Sequence, residues 1–266
     1  MTEQPNVILH WQGAICTVTI NNPEKHNILT PPCLQEIAGT FKRLGEEDSS
    51  IVVILRGAGR EAFSAGADIR TMPTRTSDQS GAAPLQHDDV STAFNAILNY
   101  PHPVIAMIHG YALGAGCMLA LACDIRVASD RVQMGIPTSR MGLIPSWEEF
   151  KRFLIVLGYN SALEIFLTGK QYDGETCLAK GMINYLVEDN ELETFTHKLA
   201  EEVTRCAPLS LRSAKNILTA IAENPAPSPE TLAHFRMLLD QARDSDDHEE
   251  AKSAFKEKRP PVFKGR

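Results

Sequence analysis

Residues 104–128 read VIAMIHGYALGAGCMLALACDIRVA, and this stretch decides the class of fold. Its apolar runs and glycines predict a buried strand over residues 104–109, a glycine-rich turn over 110–116, a short apolar helix through Cys123 and a second strand over 124–128. Strands that alternate with helices in this way are typical of an α/β core. The stretch therefore predicts an α/β fold rather than an all-helical or all-strand one.

The segments on either side extend this pattern. Upstream, the sequence predicts a hairpin around Gln12-Gly13, a helix that starts at Thr30, and a buried strand over residues 51–55. Downstream of Pro145 helices dominate, with predicted helices over 147–158, 161–167, 191–206 and 209–222, a strand over 183–187, and two charged amphipathic helices after Pro227. We expect a core over residues 1–200 and a helical region over residues 201–266.

The composition excludes several classes of protein. The 266 residues include 33 acidic and 26 basic side chains, a formal net charge of −7, which disfavours general binding to nucleic-acid phosphates. A content of 43% hydrophobic and 22% charged residues is typical of a folded globular chain and excludes a disordered one. The uncharged run between Asp89 and Asp124 is interrupted by prolines and glycines, so it predicts a core crossing rather than a membrane span.

The cysteines and the N-terminus bear on the compartment. The 6 cysteines are scattered, with no CxxC pair and no zinc-ligand spacing, which favours reduced thiols and no metal site. The first residues, MTEQPN, lack both an apolar signal core and an arginine-rich transit pattern. We therefore expect a cytoplasmic protein that binds no metal, no nucleic acid and no membrane.

Two turns of small residues are the strongest candidates for chemistry. Residues 63–68 read FSAGAD and residues 114–117 read GAGC, and each turn follows a predicted strand. Such turns leave the backbone accessible, so that two peptide N–H groups can converge on one oxygen, and the second turn also begins a helix. Two preorganised N–H donors commonly stabilise an enolate or another oxyanion. The alternative is that the small residues only permit tight packing.

The order and spacing of several motifs resemble the crotonase (enoyl-CoA hydratase/isomerase) family over nearly the whole chain. The motifs are NPEKHN at 22–27, AFSAGADI at 62–69, PVIA at 103–106, GYALGAGC at 110–117, CDIR at 123–126, GLIP at 142–145, LTG at 167–169, AKG at 179–181 and the tail FKEKRPPVFKGR at 255–266. This resemblance implies a ββα spiral core followed by a C-terminal helical region that assembles a homotrimer, often paired into a hexamer. It also implies an acyl-CoA thioester as substrate, with coenzyme A as its only cofactor-like part.

The resemblance also assigns roles to individual positions. The N–H groups of Ala67 and Ala115 match the oxyanion hole of the family, which holds the thioester carbonyl. Contacts to coenzyme A are implied for Lys25, for the adenine-binding turn at Ala65, Asp68 and Ile69, and for Phe263 with Lys264 or Arg266, which resemble tail residues that reach the coenzyme A of a neighbouring subunit.

The chain departs from the family pattern at the acid–base groups. Hydratases of the family use two glutamates around one water, and the matching positions here are Met118 and Thr138. Hydration needs a base for the water and an acid for the α-carbon, and a thioether supplies neither. Where the family has a Pro-Gly-Ala-Gly-Gly loop, this chain has Pro-Ser-Trp-Glu-Glu, so Glu148 or Glu149 is the candidate base. The alternative is that both glutamates stabilise the start of a helix and face water.

These observations predict an enzyme that stabilises a thioester enolate and isomerises the double bond of an enoyl-CoA. The alternatives are a divergent hydratase, a C–C hydrolase or a decarboxylase in which Thr138 positions water or a carboxylate. A catalytically silent acyl-CoA-binding protein is the alternative outside enzymes.

Overall fold

The computed structural model of the chain describes residues 5–68, 70 and 87–266. Its strands in chain order are β1 Val7–Gln12, β2 Ile15–Ile20, β3 Val52–Gly57, β4 Ala62–Ser64, β5 Val104–Ile108, β6 Tyr111–Leu113, β7 Ile125–Ser129, β8 Gln133–Gly135, β9 Gln171–Asp173 and β10 Tyr185–Val187. Its helices are α1 Pro31–Glu47, α2 His87–Leu98, α3 Ala115–Ala122, α4 Trp147–Thr168, α5 Gly174–Ala179, α6 Leu192–Thr204, α7 Pro208–Glu223, α8 Pro229–Arg243 and α9 Asp246–Glu257.

The strands form a large sheet and a small sheet. The large sheet has the order β1-β2-β3-β5-β7-β10, and the small sheet has the order β4-β6-β8-β9. β1 and β2 form the predicted antiparallel hairpin, and the neighbours from β2 to β10 pair in parallel. All five residues of β5 are buried, because α1, α2 and α3 cover one face of the sheet and α6 covers the other. The predicted α/β class is confirmed.

A repeated strand–strand–helix unit connects the two sheets. β3 in the large sheet is followed by β4 in the small sheet and then by α2, and the same succession recurs as β5-β6-α3 and β7-β8-α4. Each unit therefore places a short strand of the small sheet directly after a buried strand of the large one. This is the ββα pattern that the resemblance implies.

The second half of the chain differs in detail from the expectation. The two helices expected over 147–158 and 161–167 are confirmed, since α4 consists of two helical segments that meet at a kink at Gly158, where φ is 70° and ψ is 167°, although its range is given as one element. The strand expected over 183–187 is shorter, because only residues 185–187 pair with β7. The predicted boundary between the core and the helical region, after residue 200, falls inside α6. The division of the chain into these two regions stays a prediction. None of the helices in the described ranges combines the length and hydropathy needed to cross a bilayer.

Candidate active site

The parallel pairing of β4 with β6 brings the two small-residue turns together. Ala62 lies opposite Tyr111 and Ser64 opposite Ala112, so the chain leaves both strands at the same edge. The turns then touch: a Cβ on Gly66 would lie 2.5 Å from the Leu113 carbonyl oxygen and 3.3 Å from the Ala115 nitrogen. Only glycine fits at position 66, where φ is also 93°.

The sequence predicts the backbone N–H groups of Ala67 and Ala115 as the donors in these two turns. On either side of Ala67, the Gly66 carbonyl accepts from Leu29 N–H at 2.8 Å and Asp68 N–H donates to the Leu29 carbonyl at 3.1 Å. Ala115 is the first residue of α3, whose first intrahelical bond runs from Met118 N–H to the Gly114 carbonyl at 3.0 Å. Within the described residues, neither Ala67 N–H nor Ala115 N–H donates a hydrogen bond.

The surroundings of these two N–H groups suit the predicted role of binding an anionic oxygen. Ala115 is buried, and Ala67 is half-buried on the neighbouring turn. The N-terminal end of α3 adds the positive end of the helix dipole, which favours negative charge close to Ala115. The structure thus brings Ala67 and Ala115 together as the sequence predicts, while their role in a reaction stays a prediction.

A short turn before α1 supports the first of these loops. Asn27 is fully buried, and its side-chain amide donates to the carbonyls of Ala58 at 2.9 Å and Ala62 at 2.7 Å. Ser64 Oγ donates to the Asn27 carbonyl at 2.8 Å, and Ala65 N–H donates to the His26 carbonyl at 2.9 Å. Asn27 is part of the NPEKHN motif, but no local signal in the sequence indicates that its side chain supports the turn.

The predicted coenzyme A contacts of the first half lie around this support. Lys25 is exposed at the end of the 3-10 turn Pro23–Lys25. The Arg70 guanidinium donates two hydrogen bonds to the Asp68 carboxylate, at 2.7 and 2.8 Å, and Arg70 N–H donates a third at 3.1 Å. These bonds lower the pKa of Asp68, with a smaller contribution from the charge of Lys25. The predicted residues Lys25, Ala65 and Asp68 therefore lie in one region. Ile69, the fourth, lies outside the described residues.

The positions that hold glutamates in hydratases present no carboxylate. Met118 is buried in α3, and Thr138 is half-buried in the 3-10 helix Pro137–Met141. The Thr138 carbonyl accepts from Leu143 N–H at 2.9 Å, and its hydroxyl makes no hydrogen bond with the described part of the chain. Thr138 thus offers a polar group but no proton-accepting base.

The two candidate glutamates differ sharply in their surroundings. Both lie in the first turn of α4, where Ser146 is the N-cap. Glu149 is 1% exposed and closes a capping box: its Oε2 accepts from Ser146 N–H at 2.7 Å, and its own N–H donates to Ser146 Oγ at 3.2 Å. Its Oε1 is buried without a partner among the described residues. Glu148 is exposed and lines a groove of about 390 Å³ with Trp147 and residues of α2 and α7.

The C-terminal tail is held by α9. The buried carboxylate of Asp247 accepts from Lys264 N–H at 2.6 Å and from Gly265 N–H at 2.8 Å. Phe263 is half-buried and Lys264 exposed. In the described residues neither side chain forms a hydrogen bond or an ion pair with Lys25 or with the turn at 65–68 of the same chain. Their role at a neighbouring subunit stays a prediction.

Comparison with known proteins supplies the family. A family model described as enoyl-CoA hydratase/isomerase matches residues 10–266. The short-chain-enoyl-CoA hydratase of Clostridium acetobutylicum is 29% identical over 257 residues, 97% of each chain. The (E)-benzylidenesuccinyl-CoA hydratase of Thauera aromatica is 29% identical over 264 residues, 97% of this chain and 99% of its own.

A solved structure agrees with the fold. The crystal structure of an enoyl-CoA hydratase/carnithine racemase from Magnetospirillum magneticum superimposes with a TM-score of 0.88 at 33% identity, covering 99% of this chain and 97% of its own. The ββα units, the paired turns and the match over residues 10–266 lead to one conclusion. The chain belongs to the enoyl-CoA hydratase/isomerase (crotonase) family and is an acyl-CoA enzyme of that family.

Proposed function

We propose that this enzyme isomerises the double bond of an enoyl-CoA, with Glu149 as the single proton carrier. The observation that carries the proposal is the state of Glu149, a buried carboxylate whose Oε2 accepts from Ser146 N–H and whose Oε1 has no hydrogen-bond partner in the part of the chain that the structure describes. A capping role occupies only Oε2, which leaves Oε1 available for a substrate proton. Glu148, by contrast, is exposed on a surface groove.

The oxyanion site supplies the other half of the chemistry. The thioester oxygen accepts hydrogen bonds from Ala67 N–H and Ala115 N–H. Glu149 removes a proton from C2 of a 3-enoyl thioester, and the electron pair moves onto the thioester oxygen as a dienolate. The same carboxyl then returns the proton to C4, so that the C3–C4 double bond becomes a C2–C3 double bond. Atoms and electrons balance without water or a redox partner.

The surroundings of the site favour this reaction over hydration. Hydration requires water to be held and deprotonated at C3, and the two positions that do so in hydratases carry a buried thioether and a hydroxyl. Two apolar residues just before Thr138, Met134 and Ile136, are fully buried. A shuttle of one proton needs only one carboxylate, and the buried Glu149 of α4 is our candidate for it.

Hydration is the second candidate, and the relatives favour it. The proteins from Clostridium acetobutylicum and Thauera aromatica are both named hydratases. In this version the free Thr138 hydroxyl would position the water, and Glu149 would be its base. Cleavage of a C–C bond, decarboxylation or silent binding of acyl-CoA are the remaining outcomes of the test.

The test uses Glu149→Gln with Glu148→Gln as its matched control. Glutamine at the third helical position can still accept from Ser146 N–H, so the capping box survives while the proton carrier is lost. We expect Glu149→Gln to lower the rate of conversion of a 3-enoyl-CoA into the conjugated 2-enoyl-CoA by about 10²–10⁴-fold. Glu148→Gln should keep the wild-type rate.

Two further measurements separate the alternatives. Isomerisation predicts exchange of the α-protons of a saturated acyl-CoA in D2O by the wild type, and loss of that exchange in Glu149→Gln. Incorporation of oxygen from labelled water into a 2-enoyl-CoA, with no conversion of the 3-enoyl isomer, would replace isomerisation by hydration. An acyl-CoA that binds without α-proton exchange would refute the enolate chemistry.

A further inference from the structure

Arg152 ties the helix that carries Glu149 to the helix that begins at the oxyanion site. From α4, its Nε donates to the Leu121 carbonyl at 2.9 Å and its Nη2 donates to the Cys123 carbonyl at 3.0 Å. Leu121 lies in the last turn of α3, and Cys123 is its C-cap. The guanidinium is thus a two-pronged clamp between α4 and α3.

The clamp holds a helix end that has no access to water. All eight residues of α3 are buried, so its last carbonyls need partners within the protein. Arg126 also donates to the Cys123 carbonyl, at 2.8 Å, and this second bond remains when Arg152 is replaced. Loss of Arg152 therefore removes both hydrogen bonds between the helices. Cys123 O keeps its bond from Arg126, whereas the Leu121 carbonyl loses the bond it has among the described residues.

Arg152 and Glu149 share one face of α4. They are three residues apart, about one helical turn, and the next residue, Phe153, is fully buried. A guanidinium that donates to two carbonyls constrains both the position of α4 along α3 and its rotation. The Glu149 carboxylate, about 5 Å away along the helix axis, moves with it.

We infer that Arg152 is a positioning residue for proton transfer: by clamping α4 onto α3 it sets the place of the Glu149 carboxylate relative to Ala115 N–H. The inference rests on the proposed function of Glu149. Ala115 is the first residue of α3, and the clamp holds the other end of that buried helix. The position of the Glu149 carboxylate is therefore fixed relative to the same helix that presents Ala115 N–H. A displacement of about 1 Å between such groups can cost on the order of 10²-fold in rate.

The test compares Arg152→Gln with Arg152→Lys and Arg140→Gln. Arg140 Nε donates to the Thr168 carbonyl at 3.1 Å, so it makes a similar bond at the opposite end of α4. We expect Arg152→Gln to lower kcat for isomerisation by about 10–10²-fold with little change in KM or in affinity for a saturated acyl-CoA. Arg152→Lys, which keeps the charge but loses the fork, should fall in between. Arg140→Gln should match the wild type.

A double-mutant cycle with Glu149→Gln decides whether Arg152 acts through Glu149. In a Glu149→Gln background, Arg152→Gln should cause no further loss of rate. Equal, additive losses in both backgrounds would overturn the inference, and so would a wild-type kcat for Arg152→Gln while Glu149→Gln is inactive. If Glu149→Gln itself keeps the wild-type rate, the proposed function fails first. Should Arg152→Gln not fold, the same cycle with Arg152→Lys gives the answer.

Discussion

Replacing Ala115 by proline deletes one of the two N–H groups that we propose bind the thioester oxygen, with little disturbance of the backbone. Ala115 is the first residue of α3, where proline is tolerated because the N–H has no intrahelical acceptor and the φ of the ring suits a helix. The preceding residue, Gly114, has φ 52° and ψ −122°, outside the α region that a following proline disfavours. No hydrogen bond recorded among the described residues is lost.

The expected effect is therefore large on rate and small on stability. Loss of one oxyanion donor costs about 10²–10³-fold in kcat, roughly 3–4 kcal/mol of transition-state stabilisation. The free energy of unfolding should change by less than about 1 kcal/mol, since the helix keeps all its internal bonds. Both the isomerisation rate and α-proton exchange should fall by the same factor, because both pass through the enolate.

The assay pairs each rate with a thermal or urea unfolding curve of the same variant. Ala115→Ser serves as the control, since it keeps the N–H and adds one atom at a side chain that is 7% exposed. Ala115→Pro with a wild-type exchange rate and an unchanged unfolding curve would refute the assignment of this N–H to the oxyanion site. A loss of rate accompanied by unfolding would be distinguished by the curve.

Two further predictions concern Gly66 and His109. Gly66→Ala should abolish most activity and destabilise the fold, because its Cβ would lie 2.5 Å from the Leu113 carbonyl oxygen. The control Gly13→Ala, at φ 59° and with no atom within 4 Å of its Cβ, should show only the milder backbone strain. Equal effects of the two variants in unfolding and rate assays would contradict this. Burial lowers the pKa of His109 from 6.5 to about 4, so the unfolded chain takes up a proton that the folded chain refuses, and the free energy of unfolding should fall as pH drops from about 6.5 towards 4. Between about pH 7 and pH 5, the free energy of unfolding measured with urea should fall by about 2 kcal/mol less in His109→Gln than in the wild type. The same dependence of this free energy on pH in both proteins would show that His109 does not cause the fall.

Much of the fold followed from local signals that need no tertiary context. The hairpin around Gly13, the buried strand that became β3, and the strand–turn–helix–strand run from residue 104 all appear where hydrophobic pattern and glycines predict them. The two turns at residues 65–67 and 114–116 are also readable in this way. Small residues after a buried strand are a local property of the chain, and the motif resemblance to the family rests on them.

Local signals in the sequence could not predict which strands pair or which residues make long-range hydrogen bonds. That the turns touch depends on β4 lying parallel to β6, and these residues are almost fifty positions apart in the chain. The strut at Asn27 and the clamp at Arg152 are likewise contacts over long separations, about 30 residues each to Ala58, Ala62, Leu121 and Cys123. An asparagine or an arginine in a sequence does not by itself indicate that its side chain bonds to distant backbone carbonyls.

The clearest division between sequence and structure lies at Glu148 and Glu149. By itself the sequence determined that two acids stand at the start of a helix and that Met118 and Thr138 replace the hydratase glutamates. The sequence could not show which of the two acids is buried, because apolar residues of α4 lie on its exposed face as well as on its buried face. Trp147 is 76% exposed and Leu154 is 48% exposed, so the hydrophobic pattern does not identify the buried face. Neighbouring residues on a helix point about 100° apart, so the choice depends on how α4 is rotated. The tertiary contacts of α4 with α3, α2 and the 3-10 helix Pro137–Met141 decided that rotation, which buried Glu149 and left Glu148 in water.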